Sequence, residues 1–205
     1  MTMASVVFVC TGNICRSVTA ERVLEHHLQI NGAEALVDSA GISDEEAGNP
    51  IDPRQARVLA AAGYRTDDHV ARQITPEWLA ERDLAVAMTA RHFRVLQRMI
   101  ADLPAEAAPE LRMLREFDPR VAGAGAGAGE SRDVEAGAGA ASAKSASAGN
   151  DGSGAASAGI DDVPAPDVPD PWFGELKDFE ETLETIEVSV PGITDHLHAL
   201  AVKSQ

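Results

Sequence analysis

The chain has 205 residues, 44% of them hydrophobic, enough for one domain with a substantial core and some chain left over. Its formal net charge of −16 sets it against nucleic acid and anionic membrane surfaces, so any phosphate it handles must be held by local geometry rather than by a long-range field. Its two cysteines, Cys10 and Cys15, are too close to staple distant elements; no basic stretch with an apolar core opens the chain and no apolar run approaches the ~20 residues of a membrane span. A reducing, cytoplasmic location without membrane insertion is therefore expected.

The first predicted element is a buried strand, Val6-Val7-Phe8-Val9, with β-branched residues in a continuous apolar run. Ala20, Val23, Leu24 and Leu28 then follow at helical spacing, so Cys10 to Ser17 is the loop between a strand and a helix. In that geometry the loop N–H groups and the positive end of the helix dipole converge on one point, a site for a tetrahedral anion. Cys10 stands at the strand end facing that point, and beside a helix N-terminus and a guanidinium it is a nucleophile. Arg16 carries a planar fork of donors for two phosphate oxygens. Thr11, Gly12, Asn13, Ile14 and Cys15 complete the cradle; Gly12 permits close approach or positive φ, and Asn13 tolerates a left-handed conformation and can lock the loop. Ser17 is the expected N-cap of the helix, with a hydroxyl free to donate to the thiolate. Cys15 has two readings, a small buried apolar residue or a partner that traps oxidised Cys10 as a disulfide.

A second strand is expected over Ala35–Gly41, containing Ser39, followed by the loop Ser43 to Pro50 with Asp44, Glu45 and Glu46. Asp52-Pro53 starts a helix that Gly63 stops, and Thr75-Pro76 opens a short one in which Trp78 belongs to the core. Leu84–Met88 is a third strand. It precedes a helix with Phe93, Leu96, Met99 and Ile100 on one face, and Leu111 to Leu114 makes a fourth strand. Strands alternating with helices indicate a parallel sheet with right-handed crossovers, in which ligands bind at the carboxyl ends of the strands.

From about 122 to 160 the composition turns to Ala, Gly and Ser, and the expected state is a flexible, disordered insertion interrupting one domain. Prolines then restrict the segment Pro166 to Gly174, so a carboxylate there, Asp167 or Asp170, can be held in place. Leu176, Phe179, Leu183, Ile186 and Val190 mark a long helix. Pro191-Gly192 is expected to break it, leaving a last helix from Ile193.

Two of these segments carry a resemblance. Cys10-Thr11-Gly12-Asn13-Ile14-Cys15-Arg16-Ser17 resembles the phosphate-binding loop of the low-molecular-weight protein tyrosine phosphatases, and Asp170-Pro171-Trp172-Phe173-Gly174 resembles their Asp-Pro-aromatic-aromatic-Gly motif, in the same order. The resemblance implies one domain over residues 1–205 with a flavodoxin-like three-layer α/β fold around a four-stranded parallel sheet. It also implies hydrolysis of aryl phosphate monoesters through a phosphorylated Cys10, with Arg16 binding the phosphate and Asp170 as general acid. Neither a metal nor a cofactor is implied, and the expected partner is a tyrosine-phosphorylated protein, a bacterial tyrosine kinase among the candidates.

By the same resemblance Ser39 supports the loop through Asn13, and Trp172 and Phe173 flank the substrate ring. The chain departs from the family at Glu45 and Glu46, where many members carry Trp and His as a wall of the substrate crevice, and at Thr89, where an acidic residue is common. Acidic side chains offer no stacking face and repel a phosphate dianion. The rival activities are arsenate reduction with a small external thiol, non-catalytic phosphoprotein binding, and protein arginine phosphatase chemistry, a branch that tends to carry Thr at the position of Ile14.

Overall fold

The computed structural model describes residues 3–122 and 165–203, so all but the first residue of the Ala/Gly/Ser-rich stretch at 122–160 lies outside the described residues. Within them a four-stranded parallel sheet has the order β2-β1-β3-β4, with β1 Ser5–Cys10, β2 Leu36–Gly41, β3 Leu84–Ala87 and β4 Glu110–Met113. Alternation along β1 divides the core: Val6, Phe8 and Cys10 face one side, Val7 and Val9 the other, and every residue of the strand is buried.

On the first side pack α1 (Arg16–Asn31), α2 (Pro53–Ala61) and α6 (Leu176–Lys203); on the second lie α3 (Pro76–Leu79) and α4 (Ala90–Ala101). A short α5, Pro119–Ala122, follows β4. The fold is thus the expected three-layer α/β arrangement. Trp78 is only partly buried; it packs against the second core, with the Arg72 guanidinium 4.2 Å from its ring centroid.

Two boundaries differ from the sequence expectation. Helix α1 begins at Arg16 with Cys15 in the cap position and no side-chain cap, so Ser17 sits inside the first turn and its hydroxyl is available elsewhere. Pro191 does not break α6. Phe179, Leu183, Ile186, Val190, Ile193 and Leu197 form one buried face whose spacing runs through the proline without a slip. A mid-helix proline costs ~3 kcal/mol, whereas burying Ile193 and Leu197 is worth roughly 4 kcal/mol together. Gly192 lets the continuous helix press on Phe117, since a Cβ there would lie 2.9 Å from that residue's carbonyl oxygen.

The register places Cys10 opposite Gly41, and Val9 opposite both Ala40 and Ala87. The ends of β1, β2 and β3 therefore share one edge at the point where strand order reverses, and three loops meet there. Among the described residues no helix is long and apolar enough to cross a membrane.

Candidate active site

Residues 11–15 wrap around the Cys10 sulfur. Asn13 has φ 62°, and this left-handed turn brings its N–H to 3.3 Å from Cys10 Sγ. The Asn13 side chain is buried, and its amide orientation is fixed because Arg72 N donates to Oδ1 at 3.1 Å. Its Nδ2 then donates to Ser17 Oγ (3.0 Å) and Ser39 Oγ (2.8 Å). Both hydroxyls accept from Asn13, so their own protons point onward: Ser39 to the Glu21 carboxylate, Ser17 to Cys10 Sγ at 3.0 Å. Sulfur thus has two donors aimed at it, an arrangement that suits the anionic thiolate.

Histidines brace this loop from behind, and sequence reasoning missed both. His69 Nε2 lies 2.6 Å from the Asn13 carbonyl oxygen, which can only accept, so the ring is protonated at Nε2. His92 spans Thr11 Oγ1 (2.9 Å, through Nε2) and Thr89 Oγ1 (3.0 Å, through Nδ1), while Thr89 also caps α4 by accepting from His92 N. Burial, with the Arg16 and Arg91 charges nearby, pushes His92 down to about 3, and burial lowers His69 as well; both are neutral braces near neutral pH. Burial pushes Glu21 up, opposed by its bond from Ser39. Burial, with Asp52 and Cys10 beside it, also pushes the Cys15 thiol well up, so Cys15 is a neutral thiol in this structure.

The loop that carries Asp167 and Asp170 is pinned at the end of β3. Val168 N donates to the Met88 carbonyl oxygen at 2.8 Å, and Asp167 Oδ1 accepts from Ala90 N at 2.7 Å. Asp167 is therefore engaged at the start of α4, whereas Asp170 reaches the phosphate loop: its Oδ2 lies 2.7 Å from Arg16 Nη2, and its Oδ1 accepts from Trp172 N at 3.2 Å. Arg16 is 5% exposed and Asp170 52% exposed, so the pair stands at the mouth of the site.

Cys10, Thr11, Gly12, Ile14, Cys15 and Arg16 floor a cavity of about 320 Å³, with Asp170, Trp172, Phe173, Glu45, Glu46 and Arg91 as its walls. Asn13, Ser17 and Ser39 are the buried support beneath it rather than part of the lining. Phe173 is 96% exposed, an apolar ring presented at the rim. Glu46 presses on the loop where Gly12 leaves room: a Cβ there would lie 2.8 Å from Glu46 Cγ. The enclosure has the size of an aryl group plus an anion, with a sulfur at the floor, a guanidinium beside it and a carboxylate above.

The comparisons agree with this geometry. Residues 5–130 match the family model "Low molecular weight phosphotyrosine protein phosphatase". A low molecular weight protein-tyrosine-phosphatase of Streptomyces coelicolor is 36% identical over 191 residues, covering 92% of this chain and 90% of that protein. Low molecular weight protein-tyrosine phosphatase A of Mycobacterium tuberculosis is 38% identical over 192 residues, covering 93% and 89%. Among solved structures, YfkJ from Bacillus subtilis matches with a TM-score of 0.66 at 24% identity, covering 100% of this chain and 99% of its own. A Drosophila arginine phosphatase matches with a TM-score of 0.67 at 22% identity over 93% and 96%; these two likenesses establish the fold alone. With the family model covering more than half of its length and full-length relatives named as protein-tyrosine phosphatases, the chain belongs to the low molecular weight phosphotyrosine protein phosphatase family, and it is an enzyme of that type.

Proposed function

We propose that the chain hydrolyses aryl phosphate monoesters, tyrosine-phosphorylated proteins being the natural substrates, through a phosphate ester of Cys10. The observation that carries the reading is the convergence on one cavity of a sulfur with two donors, a buried arginine fork and an aspartate on a pinned loop. Cys10 Sγ attacks phosphorus in line as the bond to the aryl oxygen breaks, while the loop N–H groups and Arg16 hold the equatorial oxygens. Asp170, protonated, gives its proton to the leaving oxygen. It then takes one from the water that attacks the cysteinyl phosphate, and the thiolate returns with release of phosphate. Ser17 donates to the departing sulfur in this second step. Trp172 and Phe173 supply faces for the ring, and the free thiols suit a reducing, cytoplasmic setting.

The test is hydrolysis of an aryl phosphate across pH by wild type, Cys10→Ser and Asp170→Asn. Activity abolished by the first change and slowed by the second, with loss of the alkaline limb of the profile, supports both assignments. Absence of hydrolysis by reduced wild type refutes the reading; turnover of arsenate with a small thiol would then identify the rival. The thioredoxin-coupled form of that rival needs cysteines beyond Cys15, and the chain has two in all.

A further inference from the structure

Helix α2 reaches both loops of the site through two residues at its start, Asp52 and Arg54. The Arg54 guanidinium is shared between two groups: Nε and Nη2 donate to the two Asp52 oxygens at 3.1 and 2.9 Å, and Nη1 donates to the Trp172 carbonyl oxygen at 3.1 Å. Its carbon lies 4.5 Å from the centroid of the Phe179 ring and 5.6 Å from that of Trp172, so two aromatic rings stand within cation–π range of the fork. Asp52 caps α2, and its backbone N–H donates to the Ile14 carbonyl oxygen at 2.9 Å. At the other end Trp172 N donates to Asp170 Oδ1. A continuous path therefore joins the phosphate loop to the acid loop by way of Ile14, Asp52, Arg54 and Trp172, without passing through Arg16.

That independence matters once an anion enters, because a phosphate oxygen competes with Asp170 for Arg16 Nη2, which holds the carboxylate at 2.7 Å, at the stage when the position of Asp170 over the leaving oxygen counts. The Arg54 tie does not touch the anion and persists. We propose that Arg54, carried by Asp52, is a positioning residue that holds the Trp172 carbonyl so that Asp170 stays in reach of the leaving oxygen while Arg16 binds phosphate. The proposal rests on Asp170 being the proton donor. A lysine cannot replace it fully, because an ammonium lacks the planar fork that serves a carboxylate and a carbonyl together.

The experiment compares kcat/KM for p-nitrophenyl phosphate, whose phenolate departs with little help, and for phenyl phosphate, which needs a proton. It uses wild type, Arg54→Met, Arg54→Lys, Asp170→Asn and the double variant Arg54→Met with Asp170→Asn. Arg54→Met is expected to lose about tenfold on phenyl phosphate and less than about threefold on p-nitrophenyl phosphate, with inhibition by inorganic phosphate unchanged and Arg54→Lys intermediate. In the Asp170→Asn background the same change should take nothing further from phenyl phosphate. Equal losses on the two substrates, or a full loss persisting without Asp170, would overturn the proposal, and Arg54→Lys carries the same comparison if Arg54→Met does not fold. Should Asp170→Asn itself treat the two substrates alike, the assignment of the acid fails and Arg54 with it; should it discriminate while Arg54→Met does not, Arg54 alone is refuted.

Discussion

Gly41 ends β2 against the phosphate loop, and adding one carbon there tests how tightly that loop is held. A Cβ on Gly41 would lie 2.5 Å from the Thr11 carbonyl oxygen, 3.0 Å from that of Ser43 and 3.1 Å from the Gly12 carbonyl carbon. All three are backbone atoms, so no rotamer change relieves the collision; the loop must retreat by about half an ångström before the nearest contact reaches even 3.0 Å. The displaced carbonyl belongs to the residue next to Cys10, between the sulfur and the N–H of Asn13. Gly41→Ala should lower stability by about 2 kcal/mol, a fall of roughly 4–8 °C in Tm for a chain of this size, and lower kcat/KM by about 10–100-fold, with inhibition by inorganic phosphate weakened alongside. Gly48 is the control: its φ is 88°, yet a Cβ there meets nothing within 4 Å. Gly48→Ala should therefore lose about 1–2 kcal/mol through backbone strain alone and keep its activity. Thermal unfolding and steady-state hydrolysis of an aryl phosphate on both variants decide the matter; full kcat/KM in folded Gly41→Ala would refute the claim that this contact sets the loop.

Ser17→Ala removes a donor to sulfur and leaves an Asn13 N–H without its acceptor, so kcat should fall on the order of tenfold or more, as burst and steady-state rates will report. His92 is held neutral down to about pH 3, whereas the unfolded chain takes up its proton near 6.5; stability from this group is complete above about 6.5 and is lost as pH falls towards 3. The loss is about 5 kcal/mol across that window, and His92→Gln should show a correspondingly shallower fall in Tm on acidification. Replacing Glu45 by Gln removes a negative charge from the cavity wall and should raise kcat/KM for an aryl phosphate dianion about two- to fivefold at low salt, the gain shrinking as salt is added.

The parts of the site that a sequence displays are those built within one local segment. Val6 to Ser17 is a strand, a loop and a helix in continuous order, so the position of Cys10 at the strand end and of Arg16 at the junction of loop and helix was readable from pattern alone. The Asp-Pro-aromatic segment was readable only by resemblance, since its approach to Arg16 spans 154 residues of sequence. His69, His92, Glu21 and Arg54 were invisible for the same reason: each is ordinary on its own element and meets the site through the crossovers of the sheet. A signal existed for Arg54, next to a Pro at the start of a capped helix, but nothing local pointed to Trp172. Ser17 misled because it has the chemistry of a cap while the turn ends at Cys15. Pro191 misled because a local rule about backbone donors was applied where an apolar register, unbroken from Phe179 to Leu197, outweighed it.

The pairing of Arg16 with Asp170 gives the cavity a resident competitor. A carboxylate tethered to the same fold acts at an effective concentration in the millimolar range, so an incoming anion must displace a ligand that never diffuses away. Chloride and sulfate meet that competitor at a disadvantage, because displacing Asp170 leaves a second negative charge beside them. On the proposed mechanism a phosphate ester bound to the loop instead gives the displaced carboxyl a use, as the holder of the proton its leaving oxygen needs. On that proposal, selectivity for esters over bare anions is written into who holds Arg16 while the site waits.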